Sequence, residues 1–325
     1  MRNAHRTTLA ALAATVTALV LAGCSGTDTP STADSGPDSE PVSLKVGYIP
    51  ASVYAYFWQA QDAGYFEDAG LEVELVPMSG GGEIIPALQS GSVQFGISDA
   101  MGVINAVNNG IGIEYVTFNA SQTEESPIHS VVVKDPSITS AADLNGKTVA
   151  TNASFNTDWT MMRAWLRQGG ADLDSITFLE LPFPDQLAAL DAGTIDAAGM
   201  LEPFVTSSRG AGLEVIGDFF TEVQSPSVLS GVAATNEYVE QNPDVVERFV
   251  EAVEKAVDDF NADPQVARDR IAENTEIDPA LVAEMNLPVW SNDTDPSQMQ
   301  FWIDAAEEEG IVETDLDPTS LIWTR

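Results

Sequence analysis

The sequence predicts an α/β protein of two like lobes followed by a helical tail. Short apolar runs alternate with amphipathic segments from Ser43 onward, the same order of segments recurs about 100 residues later, and after Asn236 the pattern becomes purely helical. Alternation of this kind implies a largely parallel sheet covered on both faces.

In chain order, SLKVGYIP reads as a strand, VYAYFWQAQDAGYFEDAG as a helix ending at glycine, LEVELVP as a strand and GEIIPALQSG as a helix. VQFGIS and IEYVTFN continue as strands around a helix at 100–109. The second round is GKTVATNA, the helix FNTDWTMMRAWLRQGG, SITFLELP, the helix PDQLAALDAG, IDAAGM and GLEVIGDF. ALQSGSVQFG at 87–96 aligns with ALDAGTIDAA at 189–198, and GIEYV at 112–116 with GLEVI at 212–216. PIHSVVVK and VLSGVAAT, apolar and β-rich, read as the two crossings between lobes. In the tail, Val245, Phe249, Val253 and Val257 share a helical face expected to pack back on the first lobe.

Composition narrows the function classes. Fifty acidic residues against thirteen basic ones give a net charge of -37, so nucleic acid is not an expected partner, because phosphate binding needs clustered Lys and Arg. The acidity reads as a soluble, self-repelling surface.

The single cysteine, Cys24, closes the stretch MRNAHRTTLAALAATVTALVLAGC. A positive start at Arg2 and Arg6, an apolar run too short to span a bilayer comfortably and the small-residue ending Leu21-Ala22-Gly23-Cys24 resemble a bacterial lipoprotein signal. The resemblance implies a signal peptide at 1–23, cleavage before Cys24, diacylglycerol on its sulfur and a lipid-anchored location on the outer face of the cell membrane. Residues 25–41, rich in Ser, Thr, Asp, Gly and Pro, read as a disordered tether, so the leader and tether occupy 1–23 and 24–42.

Four stretches, GYFEDAGLEVELVP, ALQSGSVQFGISDA, SAADLNGKTVA and LEPF, together resemble the substrate-binding proteins of ABC importers for nitrate, sulfonates, taurine and thiamine precursors. The resemblance covers roughly residues 43–320. It implies a two-lobed periplasmic-binding-protein fold of type II, each lobe a mixed, mostly parallel sheet flanked by helices, with the C-terminal helices on the first lobe. It also implies a monomeric solute receptor without cofactor that hands its ligand to a permease and ATPase. The lobes are expected at 43–129 with 235–325, and at 130–234. Ligands of open α/β sheets sit outside the carboxyl ends of strands, so two facing lobes make that edge a cleft.

Two motifs imitate enzymes. Ser79, Gly80, Gly81 and Gly82 follow a strand as a phosphate loop does, but Glu83 and Ile84 stand where a P-loop needs Lys and Ser or Thr. The functional reading left is backbone N–H groups opening on the cleft; the plain one is a flexible turn. GISDA has the form of a nucleophile elbow around Ser98, but a hydrolase also needs a histidine. The chain has His5, within the leader, and His129, placed at a hinge strand. A serine hydrolase using Ser98 and His129 is therefore the rival from another class. Zinc lacks a ligand set, and carboxylate-only metal sites have no recognisable spacing. A fungal relative in the resembled family makes thiamine pyrimidine as an enzyme, and the shortage of histidines here puts that chemistry out of reach.

The cleft loops then supply the candidate ligand-binding residues. Trp58 and Phe155 suit stacking on a flat ligand; Trp159 shares a helix face with Phe155, and Tyr54 and Asn152 suit hydrogen bonding. Ser98, Asn119 and Ser154 are further polar groups on these loops, and Asp99 and Glu202 carry carboxylates suited to an amine or ring N–H. Arg163 and Arg167 fall ~12 Å and ~18 Å along their helix, and Lys45 and Lys147 at the entering ends of strands, so no side-chain cation is expected in the cleft. A nitrogen-containing organic ligand, such as a thiamine-precursor pyrimidine, is favoured over a sulfonate or nitrate. Helix N-termini alone could still hold an anion. A sensor that binds the same ligand and signals to a kinase is not distinguishable by sequence.

Overall fold

The computed structural model describes residues 40–78, 80–293, 295–312 and 316–325. The expected leader, Cys24 and tether, and also Ser79, lie outside the described residues apart from 40–42.

The first round is β1 (Val42–Tyr48), α1 (Ala55–Asp62), α2 (Tyr65–Asp68), β2 (Leu71–Pro77), α3 (Gly81–Gln89), β3 (Phe95–Asp99), α4 (Ala100–Asn108) and β4 (Ile113–Gln122). The helix predicted over 53–70 is two helices. Gly64 adopts φ 77°, a left-handed conformation other residues avoid, and separates α1 from α2.

The second round is β5 (His129–Val133), β6 (Thr148–Thr151), α5 (Thr157–Gln168), β7 (Thr177–Glu180), α6 (Phe183–Ala192), β8 (Ala197–Leu201), α7 (Phe204–Gly210) and β9 (Glu214–Gly217). The chain returns through β10 (Ser227–Thr235) to α8 (Asn236–Gln241), α9 (Pro243–Ala262), α10 (Pro264–Asn274), α11 (Pro279–Glu284), β11 (Val289–Trp290) and α12 (Ser297–Glu308).

The repeat seen in sequence is a repeat of topology. The first sheet runs β2-β1-β3-β10-β4 with β11 added at the edge, and the second runs β7-β6-β8-β5-β9. Position for position, β1 matches β6, β2 matches β7, β3 matches β8 and β4 matches β9. The fourth place holds a strand antiparallel to both of its neighbours, β10 in one sheet and β5 in the other. Each is the strand that follows a crossing, which is why PIHSVVVK and VLSGVAAT read as uninterrupted apolar runs: both strands are central and covered on both faces.

The tail explains how the two sheets are held. Phe249 of α9 stacks on Phe95 at 4.0 Å between centroids and on Phe66 at 5.5 Å, fixing α9 to the first sheet. Val253 and Val257 are buried beside it as the spacing predicts, while Val245 is half-buried near the break at Asn242 and Pro243. Helices α9 and α10 pack on α1 of the first lobe as expected, but α11 also reaches α7, and α12 reaches α5. The tail thus bridges both lobes, and residues 40–325 form one compact unit. Strand β11 escaped the sequence reading because two residues carry no periodicity. Its Trp290 indole N–H donates to the Val53 carbonyl at 3.1 Å.

Candidate functional site

The carboxyl ends of the parallel strands of both lobes face a cavity of about 710 Å³. The first lobe contributes Ile49 to Tyr54 after β1 and Asp99 at the end of β3; the second contributes Asn152 and Asn156 to Asp158 after β6, Phe183 after β7 and Glu202 to Phe204 after β8. The crossings add His129, Leu229 and Ser230, and the tail adds Asn274 to Asp278 with Leu281. Aliphatic and aromatic groups make up much of the wall, and among the described residues no Lys or Arg is on it. Arg163 and Arg167 are engaged instead by Glu309, at 2.6 and 2.5 Å, and Lys45 and Lys147 by Glu74 and Asp196.

Acidic groups gather on this wall. Asp99 caps α4, its Oδ1 accepting the Gly102 N–H at 2.8 Å. Burial raises its pKa, and the Gly102 N–H draws it back in part. Asp158 lies in the first turn of α5, whose cap is Asn156, accepting the Trp159 N–H at 3.0 Å. Burial, and then the charge of nearby Asp99, push Asp158 up to about 7. Its Oδ1 has no hydrogen-bond partner. Glu202 is better satisfied: Thr206 donates to it from its N–H at 3.0 Å and its hydroxyl at 2.9 Å, and burial raises its pKa despite them.

His129 opens β5 at the joint between lobes, with its ring stacked on Phe220 at 4.2 Å. The Gln122 carbonyl oxygen accepts the Ile128 N–H at 3.0 Å, so the Gln122 amide nitrogen donates to His129 Nδ1, also at 3.0 Å. The neutral ring then carries its proton on Nε2, which faces Asp158 Oδ1 at 3.4 Å. Burial pushes the imidazole down to about 3, so it stays neutral, and the contact is an N–H facing a carboxyl rather than a charged pair.

Four of the residues singled out by sequence line the cavity: Tyr54, Asp99, Asn152 and Glu202. The structure places others elsewhere. Trp58 is buried in the first lobe and donates its indole N–H to the Tyr48 hydroxyl at 3.2 Å, because it turns to the core side of α1. Gly80, Gly81 and Gly82 open α3 away from the wall, and a Cβ on any of them would meet no atom within 4 Å. Ser98 is buried with its hydroxyl on the Asp99 carbonyl at 3.2 Å, and no hydrogen bond joins it to His129 among the described residues. Asn119 is buried within β4, its amide unpartnered. Ser154 and Phe155 are exposed, Phe155 at 59% and with φ 59°, while Trp159 lies under the Arg163 guanidinium at 4.6 Å.

Sequence reasoning missed Asp158, Thr157, Ser230 and the tail segment 274–281. An acidic residue in a helix's first turn ordinarily reads as a solvated partner of the helix dipole, and nothing local marks the difference. The tail segment carries no motif, since it reaches the cavity only through the long return of the chain.

A family model described as NMT1/THI5 like matches residues 52–267. The riboflavin-binding protein RibY of Chloroflexus aurantiacus is 25% identical over 295 residues, covering 85% of this chain and 82% of its own. The taurine-binding periplasmic protein of Escherichia coli is 27% identical over 233 residues, 70% of this chain and 69% of its own. Among solved structures, the periplasmic aliphatic sulphonate binding protein SsuA of Escherichia coli superposes with a TM-score of 0.72 at 20% identity, covering 87% of this chain and 92% of that one. That likeness establishes the fold, a two-lobed periplasmic binding protein.

Proposed function

The chain belongs to the NMT1/THI5-like family, and from that premise we propose that it is the extracytoplasmic solute receptor of an ABC importer. It captures a small nitrogen-containing organic compound, pyrimidine-like in the reading favoured here, between its lobes and delivers it to a permease with its ATPase. The observation that carries the ligand class is the wall itself: buried Glu202, half-buried Asp99 and Asp158, flat apolar surfaces and, among the described residues, no Lys or Arg. A carboxylate in such surroundings gains most from an amine or ring N–H donor.

In this reading residues 43–129 with 235–325 act as one lobe and 130–234 as the other, closing on the ligand as a monomer. A signal at 1–23 and lipid on Cys24 anchor it outside the cell membrane. In this reading the receptor has no catalytic role, and the Ser98 hydroxyl donates to the Asp99 carbonyl.

A sulfonate is the second reading, favoured by the taurine-binding and sulphonate-binding relatives. Against it, the N-terminus of α4 is already occupied by the Asp99 carboxylate, and that of α5 is capped by Asn156 and carries Asp158 in its first turn.

A thermal-shift screen against aminopyrimidines, thiamine, flavins, taurine, alkanesulfonates and nitrate tests the choice, because a bound solute adds RT ln(1 + [L]/Kd) to stability. A shift with pyrimidine-like compounds alone supports the first reading, and a shift with sulfonates alone replaces it. No shift with any class counts against a solute receptor.

A further inference from the structure

Resting on the solute-receptor reading, we infer that the cavity takes the ligand's charged group as a cation, a protonated amine or an amidinium, seated between Asp99 of the first lobe and Asp158 of the second. Three observations point there. Asp158 lines the cavity, and its Oδ1 makes no hydrogen bond of good geometry, the His129 Nε2–H standing 3.4 Å away. Beside it the hydroxyls of Thr157 and Ser230, residues only 3% exposed on the same wall, make no hydrogen bond of good geometry, Thr157 lying within reach of the Asp99 carboxyl and Ser230 of the Tyr54 phenol. Buried polar atoms left in this state are expensive unless something fills them. Among the described residues no Lys or Arg lies on the wall to neutralise the carboxylates.

The two carboxylates come from opposite lobes. A cation between them draws the lobes together, whereas in the empty site a second negative charge beside Asp99 is disfavoured, so charge recognition and closure become one event.

The groups facing Asp158 define the protonation that accompanies this. Asp99 stands across from it, the His129 Nε2–H at 3.4 Å, and the Tyr54 phenol within its electrostatic reach; Glu202 lines the same cavity, as do Glu276 and Asp278 on the tail. All are acidic or neutral, so the empty site is relieved by a proton on Asp158. A cation arriving from solution replaces that proton: the carboxyl O–H bond breaks, the carboxylate pairs with the ligand and the proton passes to solvent or buffer. Uptake of a permanent cation therefore releases up to one proton, with no oxidant or co-substrate.

Calorimetric titration at pH 7 with benzamidinium and benzamide, nearly one shape and differing in charge, tests the inference, with butanesulfonate as the anionic control. Benzamidinium is expected to bind at least tenfold more tightly than benzamide, the preference falling below threefold in Asp158→Asn. Proton release on binding should show as a dependence of the heat on buffer ionisation enthalpy. If Asp158→Asn does not fold, Asp99→Asn, which keeps an oxygen for the α4 cap, serves in its place. Tighter binding of benzamide or butanesulfonate overturns the cation site and leaves the solute-receptor reading standing. Binding of none of the three also overturns it, while the receptor reading is decided by the broader screen.

Discussion

Asp158 Oδ1 stands 3.4 Å from His129 Nε2, and the Gln122 amide, by donating to the other ring nitrogen, decides that this nitrogen carries the proton. Two groups that would ordinarily form an ion pair are thereby both held neutral in the empty protein, one by burial and the other by burial together with the Asp99 charge. Their effects on stability run in opposite directions with pH.

For Asp158 the folded pKa, about 7, is above the unfolded value of 3.8, so the folded state holds the extra proton and stability falls as pH rises from 4 to 7. Asp158→Asn removes that loss. The variant is expected to gain on the parent progressively across this window, by on the order of 2–4 kcal/mol, and to keep a constant margin above pH 8. Urea denaturation at several pH values measures it, and a margin independent of pH contradicts the placement of the proton.

His129 has the opposite sign. Its folded pKa, about 3, is below the unfolded 6.5, so the unfolded chain takes up the proton first and stability falls as pH drops from 6.5 to 3. His129→Gln is expected to flatten this acid limb, whatever it costs in packing on Phe220 at neutral pH. Equal acid limbs in parent and variant would assign the loss to other groups.

Glu309 joins the tail to α5 through Arg163 at 2.6 Å and Arg167 at 2.5 Å, with its side chain only 3% exposed. Glu309→Gln should destabilise by about 2 kcal/mol, because two partly buried guanidinium groups lose their counter-charge. Glu308, 56% exposed on the same Arg167, should tolerate the same change within about 0.5 kcal/mol. Denaturant midpoints compare the two, and equal losses would remove the distinction drawn from burial.

Gly82 and Gly231 separate an unrestricted glycine from an obligatory one. A Cβ on Gly82 meets nothing within 4 Å, and Gly82→Ala in the first turn of α3 should stabilise by about 0.5 kcal/mol. A Cβ on Gly231 falls 2.6 Å from the Thr117 carbonyl oxygen and 2.7 Å from the Tyr115 ring, so Gly231→Ala should cost about 1–3 kcal/mol. Thermal midpoints of the two variants should move in opposite directions.

Trp58→Phe keeps an aromatic ring in the core and loses the hydrogen bond to Tyr48. It should cost about 1 kcal/mol and leave benzamidinium affinity within twofold of the parent. A larger loss of affinity would place Trp58 against the ligand after all.

Much of the architecture was legible locally. Helix and strand periods lie within a few residues of each other, so the βα alternation, the repeat and the two apolar crossings could be read before any contact was known. The site was legible only as a set of loops. Tyr54, Asp99, Asn152 and Glu202 turn into the cavity, while Trp58, Ser98 and Asn119, with equally suitable chemistry, turn into the core or the sheet.

The sequence by itself determined the class, the order of elements and the edge at which a ligand sits, because patterning and turn chemistry act between near neighbours. Only the tertiary structure decided which charges meet. Asp99 and Asp158 are 59 positions apart on different lobes, and Ser230 and the 274–281 segment arrive by the long return of the chain. Burial and mutual repulsion, which give the carboxylates their character, exist only once those distant segments exclude water together.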